Sequence, residues 1–262
     1  MARMIVLCAS SALLVAGAFG GAVQSASAAT LVENSAEFRF QLDFHVNDAA
    51  LQKLLPAGWE PVVATQGPAK DANLRVIFID RIAGFGADGK PLPTGATQLV
   101  YVAIPVKQTT GTETGQMIIA GLTKDAADAP GTFGVFRRAD GAMMQRTISN
   151  TGGAELNDEY WAFTAATGEH FNVRVKYQRG TLAKGDGEVK FFDPSNPSRY
   201  QIFKTEQALD ITRNATTNPP DHVMEFSYSA GGGKLAALFD GTEKVLSWDS
   251  FPWYDRTVLN PP

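Results

Sequence analysis

The segment "AEFRFQLDFHV" (Ala36–Val46) alternates Phe38, Phe40, Leu42, Phe44 and Val46 with Glu37, Arg39, Gln41, Asp43 and His45. A period of two puts the two sets on opposite faces of one extended strand, which is therefore apolar on one side and polar on the other. A short helix follows in "HVNDAALQKLLPAGWEP". Asn47 or Asp48 can cap it, Leu51, Leu54 and Leu55 share one face, and Pro56 and Gly58 stop it within about two turns.

Strand-like runs continue to the end of the chain. "LRVIFIDRI" (Leu74–Ile82) and "QLVYVAIPVK" (Gln98–Lys107) are apolar on both faces, as strands buried on both sides are. "GQMIIAGLT", "AMMQRTIS", "EYWAFTAA", "EHFNVRVKYQ", "GEVKFFD", "RYQIFKTEQALDITR" and "HVMEFSYSA" follow, separated by Gly, Pro, Asn and Asp clusters. "KLAALFDG" (Lys234–Gly241) reads as a single late helix with a glycine stop, and "RNATTNPPD" as a long polar loop. The expected class is mainly β, a β-rich α+β fold with one curved, barrel-like antiparallel sheet and a few short helices.

The N-terminus reads as an export signal: Arg3, then an apolar run, then the small-residue site Ala26-Ser27-Ala28. Ser, Gly and Ala dilute the run and the cleavage site follows it directly, which marks a removable leader (1–28) rather than a stable membrane anchor. A single domain over 29–262 and a periplasmic or secreted location are expected. The one cysteine, Cys8, would leave with the leader, so no disulfide is available and stability must come from a core. A chain of this length buries roughly 70–75% of its unfolded surface. The formal charge of −4, with no basic run, disfavours a nucleic-acid partner.

Few motifs carry chemistry. "GFGADG" (Gly84–Gly89) matches a dinucleotide-binding spacing, but "KPLPTG" follows where a helix would have to start, so a turn is expected. His45, His170 and His222 lack metal-ligand spacing; neither a metal nor another cofactor is expected. No G-x-S-x-G elbow is present. In "FGVFRRADG", Arg137 and Arg138 point to opposite faces if extended. One of them, which the sequence does not decide, could face a cavity and bind a carboxylate through its planar fork.

In order, "FHVNDAALQKLLPAGWEP", "LVYVAIPV" and "GVFRR" resemble the acetoacetate decarboxylase-like superfamily, from Ala36 to about Gln178. The resemblance implies a barrel wall fed by the first strand and a small helix plugging one end of the curved sheet. Enzymes of that family condense a lysine with a ketone, its amine made reactive by desolvation and a neighbouring cation. The resemblance sets the family's lysine pair on Arg137 and Arg138, its glutamate on Ala103 and its cavity arginine on His45. A guanidinium cannot form the imine, and Ala103 has no proton to exchange.

The expectation is thus a small-molecule binding protein for an organic acid or carbonyl compound, with no Schiff-base decarboxylation. The ligand-binding candidates are His45, Tyr101, Phe136 and Arg137, and His45 and Arg137 are also the catalytic candidates for the alternative, a lyase or hydratase. The second alternative, a ligand-free envelope module, requires a filled interior. If the polar face of the first strand meets solvent, His45 is an ordinary surface residue. If a barrel closes around a cavity, that face lines the lumen.

Overall fold

The computed structural model describes residues 28–93, 96–124, 133–214 and 222–262. Nearly all of the expected leader, and residues 215–221 of the polar loop, lie outside them. No helix among the described residues is long and apolar enough to cross a membrane.

The first strand, β1 (Thr30–His45), is joined through helix α1 (Asp48–Gln52) to β2 (Trp59–Pro61), β3 (Leu74–Gly86), β4 (Thr97–Gln108) and β5 (Thr114–Thr123). Then come β6 (Phe136–Arg138), β7 (Gly141–Thr151), β8 (Ala154–Thr164), β9 (His170–Gln178), β10 (Ala183–Phe192), β11 (Tyr200–Arg213), β12 (Val223–Gly231) and β13 (Lys244–Asn260).

The expected curved sheet closes. Its strands run β4-β3-β1-β13-β11-β10-β5, and β5 pairs back onto β4, so these strands form a barrel, with β2 and β6 flanking β4 and β5. Most pairings are antiparallel; β10 meets β5 in parallel through only two register pairs, Phe191 with Gln116 and Phe192 with Met117. A second sheet, β12-β9-β8-β7, packs outside the barrel.

The alternation in β1 explains how the layers assemble. Phe38, Phe40, Leu42 and Phe44 turn outward and, with Val76 and Phe78 of β3 and Val100, Val102 and Ile104 of β4, meet Trp161, Phe163, Phe171 and Val173 of the second sheet. Phe38 stacks on Trp161 with ring centroids 6.1 Å apart and planes 7° apart. Fully burying each such side chain stabilises the fold by about 1.5–3 kcal/mol. The other face of the same strands points into the barrel, where Ile77, Ile79, Leu99, Tyr101 and Ala103 form a separate apolar cluster with Phe191 and Phe203. β3 and β4 are apolar on both faces because one side faces this seam and the other faces the lumen.

Two local expectations need correction. The α1 helix is capped as expected, Asn47 Oδ1 accepting from Ala50 N at 3.1 Å, and Gly58 (φ 82°) ends the connection. It does not plug the barrel, however: Leu51 joins the core between the sheets. The segment Lys234–Gly241 is not a regular helix. It starts in a 3-10 turn, Gly233–Leu235, after Gly231, Gly232 and Gly233, all at positive φ. Leu235, Leu238 and Phe239 then tuck into the seam, and so short a piece gains too little from helix propagation to continue. "GFGADG" is a turn as expected, Gly89 N donating to Gly86 O at 2.9 Å.

Candidate functional site

The barrel interior holds a cavity of about 290 Å³, open to solvent on one side and bordered by residues from all its strands. This is at the small end of ligand pockets. Arg39 and Gln41 come from β1, Arg75 and Ile77 from β3, Tyr101 from β4 and Gln116 from β5; Asp249, Phe251 and Tyr254 come from β13. Val189 and Phe191 of β10 and Phe203, Thr205, Gln207 and Leu209 of β11 complete the wall, with exposed Glu188 toward solvent. No lysine lines it among the described residues.

The polar face of β1 is therefore a lumen face. Glu37, Arg39 and Asp43 are all buried. Charges in such a place must be paired and hydrogen-bonded. Glu37 Oε1 accepts from Ser35 Oγ at 2.6 Å and from Arg256 Nε at 3.0 Å, while Oε2 accepts from Arg39 Nε at 2.5 Å. Arg256 also reaches Glu33, at 2.5 Å. Burial alone would raise the Glu37 carboxyl, but Arg39 and Arg256, with the Ser35 hydrogen bond, hold it down at about 2. Arg39 lies flat against Tyr254, its guanidinium carbon 3.7 Å from the ring centroid. Burial opposes its charge, but Glu37, Tyr254 and Tyr101 together more than offset that, so Arg39 stays cationic in the lumen. The Glu37 carboxylate and the Tyr254 ring thus fix the orientation of an arginine whose remaining donors border the cavity.

Farther along the same wall, Asp43 Oδ2 accepts from Ser247 Oγ at 2.8 Å and Gln41 Nε2 at 3.0 Å, and its Oδ1 lies 3.1 Å from Arg75 Nε in an ion pair. Tyr101 is buried at 2% exposure, and that burial, against the attraction of Arg39, raises its hydroxyl above the ordinary tyrosine range. The site combines fixed cations, a neutral phenol, amides and an apolar wall. It can take the carboxylate of a small acid on a guanidinium and its carbon skeleton on Ile77, Phe191 and Phe203.

The sequence-derived candidates scatter around this site. Tyr101 lines the cavity. Phe136 stands behind it, edge-on at 6.2 Å between centroids, in contact with Gly121, where a Cβ would sit 2.4 Å from the ring. His45 lies at the far end of β1, outside the lumen, its Nδ1 2.7 Å from the Asp71 carbonyl oxygen. Strand alternation alone gave it a lumen-facing direction, but the strand ends before its side chain reaches the cavity.

Arg137 is also outside. It is 52% exposed and pairs with Glu169 at 2.7 Å, on the side of β6 that faces the loop before β9. Arg138 is exposed as well. Neither arginine points into the barrel, and nothing brings His45 and Arg137 together. Ala103 does face the interior, buried in the lumen cluster. Lys107 pairs with Glu60 at 3.0 Å on the surface, and Lys124 is exposed. The histidines do not converge, and no cluster of potential metal ligands occurs among the described residues. His170 bonds Gly168 O and Ser229 Oγ at 3.2 and 2.9 Å.

Arg39, Arg75, Asp249 and Tyr254 escaped the residue-by-residue reading. A signal existed: β1 alternates charged with aromatic residues, and β13, the last strand, carries Asp249 and Arg256 among its aromatics and pairs with β1 along most of its length. Two such strands side by side put their charges on one shared face.

No family model matches the chain, and no curated protein matches it. Solved structures do. The enduracididine biosynthesis enzyme MppR complexed with pyruvate aligns over 90% of this chain and 91% of its own, at a TM-score of 0.52 and 10% identity. An acetoacetate decarboxylase-like enzyme from Sphingomonas wittichii RW1 aligns over 94% of this chain and 97% of its own, at a TM-score of 0.51 and 10% identity. The closed barrel and the sheet packed outside it thus belong to a known architecture: this chain has the acetoacetate decarboxylase-like fold.

Proposed function

We propose that this is an exported protein whose barrel lumen binds a small organic acid, a carboxylate or keto acid, without forming an imine. The observation that carries this reading is the pair of guanidinium groups, Arg39 and Arg75, bordering a 290 Å³ cavity that no described lysine lines. An arginine held in place by Glu37 and Tyr254 recognises a carboxylate at little ordering cost, but it cannot attack a carbonyl as an amine would. A cavity with convergent polar groups speaks against a ligand-free envelope module. That a protein of the same fold is complexed with pyruvate makes a keto acid a reasonable first probe.

Calorimetric titration of sodium pyruvate tests the reading. Arg39→Lys keeps the charge opposite Glu37 but loses the fork, and Arg75→Gln removes the second cation. Each is expected to weaken binding about tenfold or more, the worth of one charge-assisted hydrogen bond. Arg137→Gln is expected to bind as the wild type does. Borohydride added with pyruvate should leave every lysine unmodified; a covalent lysine adduct would overturn the non-imine reading.

A further inference from the structure

Among the described residues, Asp249 is the one carboxyl bordering the cavity that is buried within the wall, at 8% exposure, and its Oδ1, shielded inside the wall, has no hydrogen-bond partner there. The reason lies in its neighbours. Beside it on β1, Asp43 takes the nearby donors Ser247 and Gln41 and pairs with Arg75. On the other side, Asp210 of β11 accepts from Gly180 N at 3.0 Å and faces Arg179 at 3.6 Å, with His222 behind it. Asp249 feels both of these carboxylates and borders a space large enough for a ligand.

Resting on the reading of the lumen as an acid-binding site, we propose that Asp249 sets its specificity: the protonated carboxyl donates a hydrogen bond to a carbonyl oxygen beside the ligand's carboxylate, so the site selects 2-oxo acids over simple acids. A buried carboxyl with two carboxylates beside it and no donor to its Oδ1 keeps its proton. Burial first, then Asp43, pushes this group up to about 8; Arg75 opposes the rise and Asp210 adds to it. Arg39 across the cavity and Glu188 toward solvent are the other charges bordering the space. A carbonyl oxygen in the cavity gives the Asp249 proton an acceptor, and an acid without that oxygen leaves this bond unmade.

Pyruvate and propionate differ mainly in a ketone replacing a methylene, so their affinity ratio isolates this contact. Calorimetry on the wild-type protein at neutral pH should favour pyruvate by about tenfold or more. Asp249→Leu should bring the ratio close to one while propionate still binds. Asp249→Asn, which offers an amide donor at every pH, should keep the preference. Wild-type pyruvate affinity should fall about tenfold per pH unit above about pH 8, and Asp249→Asn should remove that fall.

Equal wild-type affinities, or a preference that survives Asp249→Leu, would overturn the assignment to Asp249 and leave the acid-binding reading standing. Failure of both acids to bind at any pH would overturn the acid-binding reading and this assignment with it. An infrared titration of the ligand-free protein adds a readout independent of ligand. A carboxylic-acid C=O band that titrates near pH 8 and is missing in Asp249→Asn supports the proposal; a wild type without such a band contradicts it.

Discussion

The two faces of β1 carry opposite chemistries on one backbone. Phe38, Phe40, Leu42 and Phe44 fill an apolar seam against the second sheet, whereas Glu37, Arg39, Gln41 and Asp43 face the barrel interior, where Arg39 and Gln41 border the cavity. The seam is held by non-directional burial, so its residues are constrained mainly by size and shape. The lumen is held by reciprocal ion pairs, where losing one partner strands the other. The contrast teaches that a strand reading as amphipathic need not lie at the surface. Its polar side can be the functional interior, provided each charge there finds its counterpart.

The largest effects should come from breaking either face. Phe40→Ala is expected to destabilise the protein by about 3–5 kcal/mol in denaturant unfolding, through lost burial and the cavity left behind. Glu37→Ala should cost a similar amount, about 3–5 kcal/mol, for the opposite reason: Arg39 and Arg256 would stay buried without their shared carboxylate. Acid separates the two faces. The Glu37 carboxyl is depressed in the folded state, so its contribution is present above about pH 4 and is lost as pH falls toward 2. Unfolding curves between those values should show this acid loss in Phe40→Ala and less of it in Glu37→Ala.

Next in size comes Asp249→Asn, which should stabilise the protein. The folded state holds a proton on Asp249 that the unfolded chain releases above about pH 4, so wild-type stability falls as pH rises from there to about 8. The gain from Asn should be near zero at pH 4 and on the order of a few kcal/mol at pH 8, read from urea midpoints at each pH. A gain that did not depend on pH would mean that Asp249 is not the group holding the proton.

The smallest effect should be that of Arg137→Ala, about 0–1 kcal/mol in the same assay, because its pair with Glu169 is half in water.

Much of the fold is legible in the sequence. The alternation of β1, the capped helix after it and the two-sided apolar runs of β3 and β4 all correspond to what forms. The detail of barrel closure was not legible, because it depends on a short parallel contact between β5 and β10, which are far apart in the chain. The site followed the same divide. Tyr101 was found through the likeness of "LVYVAIPV" to a tyrosine-bearing strand of the resembled family. Arg39 was overlooked because a charged residue alternating with phenylalanine also describes an ordinary solvated face. His45 and Arg137 were singled out by position along the chain, yet the end of β1 and the orientation of β6 carry them away from the lumen. Local periodicity states which residues share a face; only the pairing of β1 with β13 states what that face surrounds.

The account is tested most directly by a crystal structure of the wild-type protein soaked in sodium pyruvate. It predicts difference density inside the barrel, with the carboxylate on Arg39 or Arg75 and the ketone oxygen within hydrogen-bond distance of Asp249. Pyruvate density beside Arg137 and Glu169 instead, or a covalent bond from the pyruvate carbon to a lysine, would contradict it.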